Sequence, residues 1–69
     1  MSTSEGPPAR LLKLAEVLHK TSLSRSTIYR MIGRGAFPRP MQVTDSIVRW
    51  KEQDVNAWIE SIPPTGRFS

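Results

Sequence analysis

Ser24-Arg25-Ser26-Thr27-Ile28-Tyr29-Arg30-Met31-Ile32 is the stretch whose reading decides the fold. Wound as a helix, it places Ser24, Ile28, Met31 and Ile32 on one side. Ser26, Arg30 and Gly33 fall opposite, flanked by Tyr29 on one edge and by Thr27 and Arg34 on the other. The outward set combines small hydroxyls, guanidinium donors and one amphipathic ring, groups that can meet phosphates and base edges in a groove. Immediately before it, Leu14, Val17 and Leu18 follow the i, i+3, i+4 spacing of a short helix running to His19. Thr21 and Ser22 form a tight turn, and Ser24 is a suitable N-cap for the second helix. Two short helices so joined predict a helix-turn-helix whose second helix, 24 to 34, lies in a DNA major groove.

Working outward, Gly33 or Gly35 closes that helix, since either can take the left-handed conformation of a C-terminal cap. Phe37-Pro38-Arg39-Pro40 reads as an extended connector. Met41-Gln42-Val43 and Ile47-Val48-Arg49-Trp50 flank the turn-formers Thr44-Asp45-Ser46, a hairpin signal. Val55, Trp58, Ile59 and Ile62 form the apolar stripe of a last helix, which Pro63-Pro64 stops at Ile62 or earlier. Leu11-Leu12-Lys13-Leu14 fits either a short strand or an extended lead-in. The order helix, turn, helix, hairpin, helix predicts a mainly α domain with a small β-hairpin, a winged helix-turn-helix. Residues 1–9 and 63–69 are small, polar and rich in Pro or Gly, and are expected to be flexible tails around a folded unit of 10–62.

Composition narrows the function. With 69 residues there is room for one small core, and with no cysteine there is neither disulfide nor thiolate metal site. The single histidine, His19, rules against a protein-only transition-metal centre, and no Ser/His/Asp grouping or glycine-rich phosphate loop is present. Neither enzymatic activity nor a cofactor is expected. No apolar run is long enough for a membrane span, so a cytoplasmic, nucleoid-associated protein is expected. Ten basic and six acidic residues give a net charge of +4. Seven of the basic residues, and only one acid, Asp45, lie between Val17 and Lys51, whereas 52–62 holds three acids and no base. The middle of the chain is therefore the anion-facing part.

Candidate DNA-contacting residues follow from position. Arg25, Ser26 and Thr27 occupy the first turn of the second helix, where base edges and phosphates are met. Arg25 opposes the helix dipole there, a cost that an external anion would offset. Arg30 is placed for a bidentate guanine contact. Tyr29 suits either a phosphate or packing against the hairpin, Arg34 a phosphate, and Gln42 and Arg49 a grip by the hairpin. Trp50 and Trp58 are assigned to the core. The turn normally wants glycine, so Ser22 implies either a different turn or a strained one. An ordinary αα-hairpin with a solvated basic face stays open as the plainer alternative.

Several of these pieces together resemble the AlpA family of prophage and genomic-island regulators, which is related to MerR-type winged helices and phage excisionases. The matching residues are Leu12-x-x-x-Glu16-Val17, Leu23 to Arg30 with Ile32, Gly35-x-Phe37-Pro38-x-Pro40, Val48-x-Trp50 and Val55-x-Ala57-Trp58-Ile59. The resemblance implies a DNA-binding transcriptional regulator of integrase or excision genes, with Ser24 to Arg30 reading DNA and Gln42 to Arg49 as the wing. It also implies a rival role, an excisionase-like factor that bends DNA. A rival of another class is a protein-interaction module, such as an antirepressor docking through the Val55–Ile62 helix. Double-stranded DNA is the expected partner, with RNA polymerase, an integrase or further copies of the chain as additional ones. Two departures stand out: Ser22 replaces the turn glycine, and the wing tip is Thr44-Asp45-Ser46, acidic and without arginine.

Overall fold

The computed structural model describes residues 10–64. The expected tail at 1–9 and most of that at 63–69 lie outside the described residues. Six elements follow in order: β1 (Leu11–Leu12), α1 (Leu14–Thr21), α2 (Arg25–Gly33), β2 (Met41–Gln42), β3 (Val48–Lys51) and α3 (Glu52–Ser61). The architecture is three helices with one three-stranded antiparallel sheet of order β1-β3-β2.

The lead-in Leu11-Leu12 is thus a strand, pairing Leu11 with Lys51 and Leu12 with Trp50. The sheet is wider than a hairpin alone because the chain returns its first strand to the edge of β3. The hairpin itself is shorter than its alternation suggests, with Met41 opposite Arg49 and Gln42 opposite Val48. Val43 and Ile47 belong to its loop, where the Val43 N–H still donates to the Ile47 carbonyl at 2.8 Å. The Thr44 hydroxyl accepts the N–H groups of Ser46 and Ile47 at 3.3 and 3.1 Å and so closes the turn.

Side chains of Leu12, Val17, Ile28, Phe37, Trp50 and Val55 form the buried core, one each from β1, α1, α2, the connector after α2, β3 and α3. Leu14, Leu18, Leu23, Met31 and Ile32 pack around it, as do Trp58 and Ile59 from α3. Trp50 is fully buried as expected, whereas Trp58 is only half-buried. Ile62 departs from the expected stripe: it caps α3 in an extended conformation (φ −73°, ψ 121°) and is 51% exposed. Pro63 is the cause, since the following pyrrolidine ring clashes with a helical residue before it.

The connection between α1 and α2 positions the second helix, and it settles the Ser22 question. Ser22 sits in the left-handed region at φ 61°, ψ 28°, so the turn keeps its ordinary shape and a non-glycine residue tolerates it. Thr21 braces this turn with a single hydroxyl. It donates to the Val17 carbonyl at 2.9 Å and accepts the Leu23 N–H at 3.3 Å. At the far end of α2, Gly35 takes the left-handed cap position at φ 75°. Its N–H reaches the Ile32 carbonyl at 3.0 Å, and the Ala36 N–H reaches Met31 at 2.8 Å. These two bonds are a Schellman cap, which stops the helix and turns the chain toward the connector.

Candidate nucleic-acid interface

The face of α2 that turns away from the core carries the predicted residues together. Ile28 is buried and Met31 and Ile32 half-buried, so Ser26, Tyr29 and Arg30 project outward with Arg25 on their flank. Tyr29 is 45% exposed, which frees its ring from the core. Arg34, the C-cap residue, is exposed at the end of the same helix.

The start of α2 is capped by Ser24, whose hydroxyl accepts the Thr27 N–H at 3.2 Å and donates to the Thr27 hydroxyl at 2.9 Å. Thr27 is therefore part of the cap: it is half-buried and its hydroxyl already accepts one bond, while its O–H stays free to donate. The bond to the Thr27 N–H is the one an N-cap serine ordinarily makes; the hydroxyl-to-hydroxyl bond is the addition that the fold reveals.

Electrostatically this end of the helix is unusual. Its first turn contains no acid and begins with Arg25. The positive end of the helix dipole and a guanidinium thus coincide, a combination that stabilises an incoming anion. Among the described residues, none of Arg25, Arg30, Arg34 or Arg39 pairs with a carboxylate; all three ion pairs lie elsewhere. They link Arg10 to Glu16 and Glu52, and Lys20 to Glu52. Lys20, counted by sequence with the anion-facing cations, is thus tied to α3.

The hairpin offers less than its sequence promises. The side-chain amide of Gln42 donates to the carbonyls of Thr44 and Asp45 at 3.0 and 3.2 Å. Its donors therefore shape the hairpin tip, and a phosphate, which only accepts, finds none of them directed outward. Arg49 lies in β3 opposite Met41, half-buried, and donates to its own neighbour Val48 at 2.8 Å. Asp45 at the tip is exposed. Among the described residues, the exposed arginines left free to grip an anion lie on α2 and, with Arg39, on the connector that leads from it to the hairpin.

Among the described residues no group of three or more His, Cys, Asp or Glu could hold a metal ion. Also among them, no helix is long and apolar enough to cross a membrane.

Comparison with known proteins adds a family. Residues 10–62 match the family model described as prophage CP4-57 regulatory protein (AlpA). The chain is also 42% identical over 50 residues to a protein described as uncharacterized protein ORF88 of Enterobacteria phage P4. That similarity covers 72% of this chain and 57% of the phage protein, so the match spans a little over half of that relative's length.

Proposed function

The chain belongs to the AlpA family of prophage regulatory proteins, and on that premise we propose that it binds double-stranded DNA sequence-specifically to regulate a prophage or integrative element. The observation that carries this reading is the outward face of α2, where Ser26, Tyr29 and Arg30 stand beside Arg25 and Arg34, cations that pair with no carboxylate among the described residues. In this reading residues 10–62 are a winged-helix DNA-binding unit. α2 enters the major groove, Arg30 pairs with a guanine, and Arg25, Ser26 and Thr27 meet base edges or phosphates. Tyr29 and Arg34 contact the backbone. The hairpin is the wing, with Arg49 its main cation and Gln42 its internal brace. The protein acts at the nucleoid in the bacterial cytoplasm, and it needs no cofactor.

The interaction-module alternative is disfavoured by packing: Val55 is fully buried, and Trp58 and Ile59 pack against the core. The apolar stripe of α3 therefore holds the domain together and offers no docking face of its own.

The test is selection of a binding site from a random duplex library, followed by titration of wild type and Arg30→Ala. We expect an enriched site, and a loss of about 1–3 kcal/mol for the variant with relaxed preference at one base pair. Failure to enrich any sequence would overturn sequence-specific binding, and an Arg30→Ala variant indistinguishable from wild type would remove Arg30 from the interface. A promoter footprint then distinguishes transcriptional control from bending at a recombination site.

A further inference from the structure

The connector between α2 and the hairpin carries a cation that the reading above leaves without a task. Arg39 is exposed and, among the described residues, forms no ion pair. The backbone that holds it is restrained from several directions. Pro38 and Pro40 stand on either side, each with a fixed φ and no N–H, and each forces its predecessor into extended geometry. Two tryptophans fix the same segment by their indole N–H groups. Trp58 Nε1 donates to the Ala36 carbonyl at 2.8 Å, and Trp50 Nε1 donates to the Pro38 carbonyl at 3.0 Å. Between those two carbonyls Phe37 is buried, its ring edge-on to Trp58 at a centroid distance of 4.8 Å and an interplanar angle of 67°. Gly35 to Pro38 line a shallow groove with Asp54, Ala57 and Trp58 of α3, and Arg39, the next residue, is exposed.

With its backbone restrained on folding by two prolines and two indole bonds, the connector brings little further backbone ordering cost to a contact made by Arg39. The segment also runs from the end of α2 to the start of the hairpin, between the two elements a winged helix lays on DNA. We propose that Arg39 is a backbone-phosphate clamp, and that Trp50 and Trp58 are positioning residues that hold it in place. The inference rests on the DNA-binding reading. The contact is to phosphate because a side chain on a proline-bracketed surface segment can reach the groove wall without entering the groove. It therefore adds affinity without base preference.

The experiment measures binding of the full chain to a labelled mixed-sequence duplex over a series of salt concentrations. Arg39→Ala is expected to weaken binding by roughly three- to tenfold on every duplex and to flatten the salt slope by about 0.9, the signature of one phosphate contact. Arg39→Lys, which keeps the charge, is expected to restore most of the slope. Trp58→Phe keeps the ring and removes the N–H. It is expected to weaken binding by a smaller factor in wild type and by no further amount when Arg39 is already alanine. Unchanged affinity and slope for Arg39→Ala, in a protein whose Arg30→Ala variant is weakened, would overturn the clamp and leave DNA binding standing. Fully additive losses for Trp58→Phe and Arg39→Ala would overturn the positioning role. A wild-type chain that binds no duplex at any salt would overturn the DNA-binding reading itself.

Discussion

The amino-terminal ends of α2 and α3 carry opposite charge. α3 opens with Glu52 and Asp54, carboxylates that complement its dipole, and Glu52 is further drawn to Arg10 and Lys20 at 3.4 and 3.5 Å. α2 opens with Arg25 and has no acid in its first turn. The end of α3 is electrically closed, as a helix start arranged for stability should be. The end of α2 is open, and only a ligand of negative charge completes it. The difference teaches where this small domain accepts a stability cost, and the site of that cost coincides with the proposed binding face.

The sharpest way to break the comparison is Arg25→Glu. It is expected to reduce DNA affinity by about 2 kcal/mol while raising fold stability by about 0.3–1 kcal/mol, because the new acid complements the dipole. Titration and urea melts of the same preparation check both signs, and a variant that lost stability would show that the open end is not a cost at all. Next in size is Ser24→Ala, which removes the only side-chain cap of α2 and both of its bonds to Thr27. A loss of about 1 kcal/mol is expected in thermal or urea unfolding.

On the closed side, Glu52→Gln is expected to cost about 0.5 kcal/mol, since its ion pairs lie near the surface and are screened. Added salt should then destabilise wild type more than the variant, and DNA affinity should stay unchanged; a large affinity change would merge the two regions. The smallest effect is a pH dependence. The Lys13 N–H, 2.8 Å from the carboxylate of Glu16, holds that group below the ordinary glutamate value, with Arg10 adding to the effect. A lowered folded-state pKa contributes stability that is full above the unfolded value and lost as the pH falls through the folded one. A mildly lower melting temperature in acid is expected, and Glu16→Gln should abolish that part of the dependence.

How much of this was legible in the sequence depends on how far each interaction reaches along the chain. The two faces of α2, the Ser24 cap, the glycine stop and the unusual Ser22 turn are all local, because they follow from periodicity and backbone preference within a few residues. The pairing of Leu11 with Lys51 joins residues forty apart, and no period predicts it. The indole bonds to Ala36 and Pro38 are likewise made by tertiary proximity. Within the candidate site, residue types were readable but hydrogen-bond occupancy was not. Thr27 and Gln42 look like free polar groups in the chain, and the fold employs one in a cap and the other in a turn. The apolar stripe of the last helix was readable through Ile59, and Ile62 dropped out because the prolines act on it more strongly than periodicity does.

The two indole bonds to the connector also make the domain its own optical instrument. Both tryptophans of the chain donate to carbonyls of a single short segment, one from a fully buried site and one from a half-buried site. Any event that shifts residues 36–38 must alter the surroundings of an indole. Intrinsic emission can thus report on the segment linking the helix to the hairpin, with Trp58→Phe isolating the signal of Trp50 and no added dye.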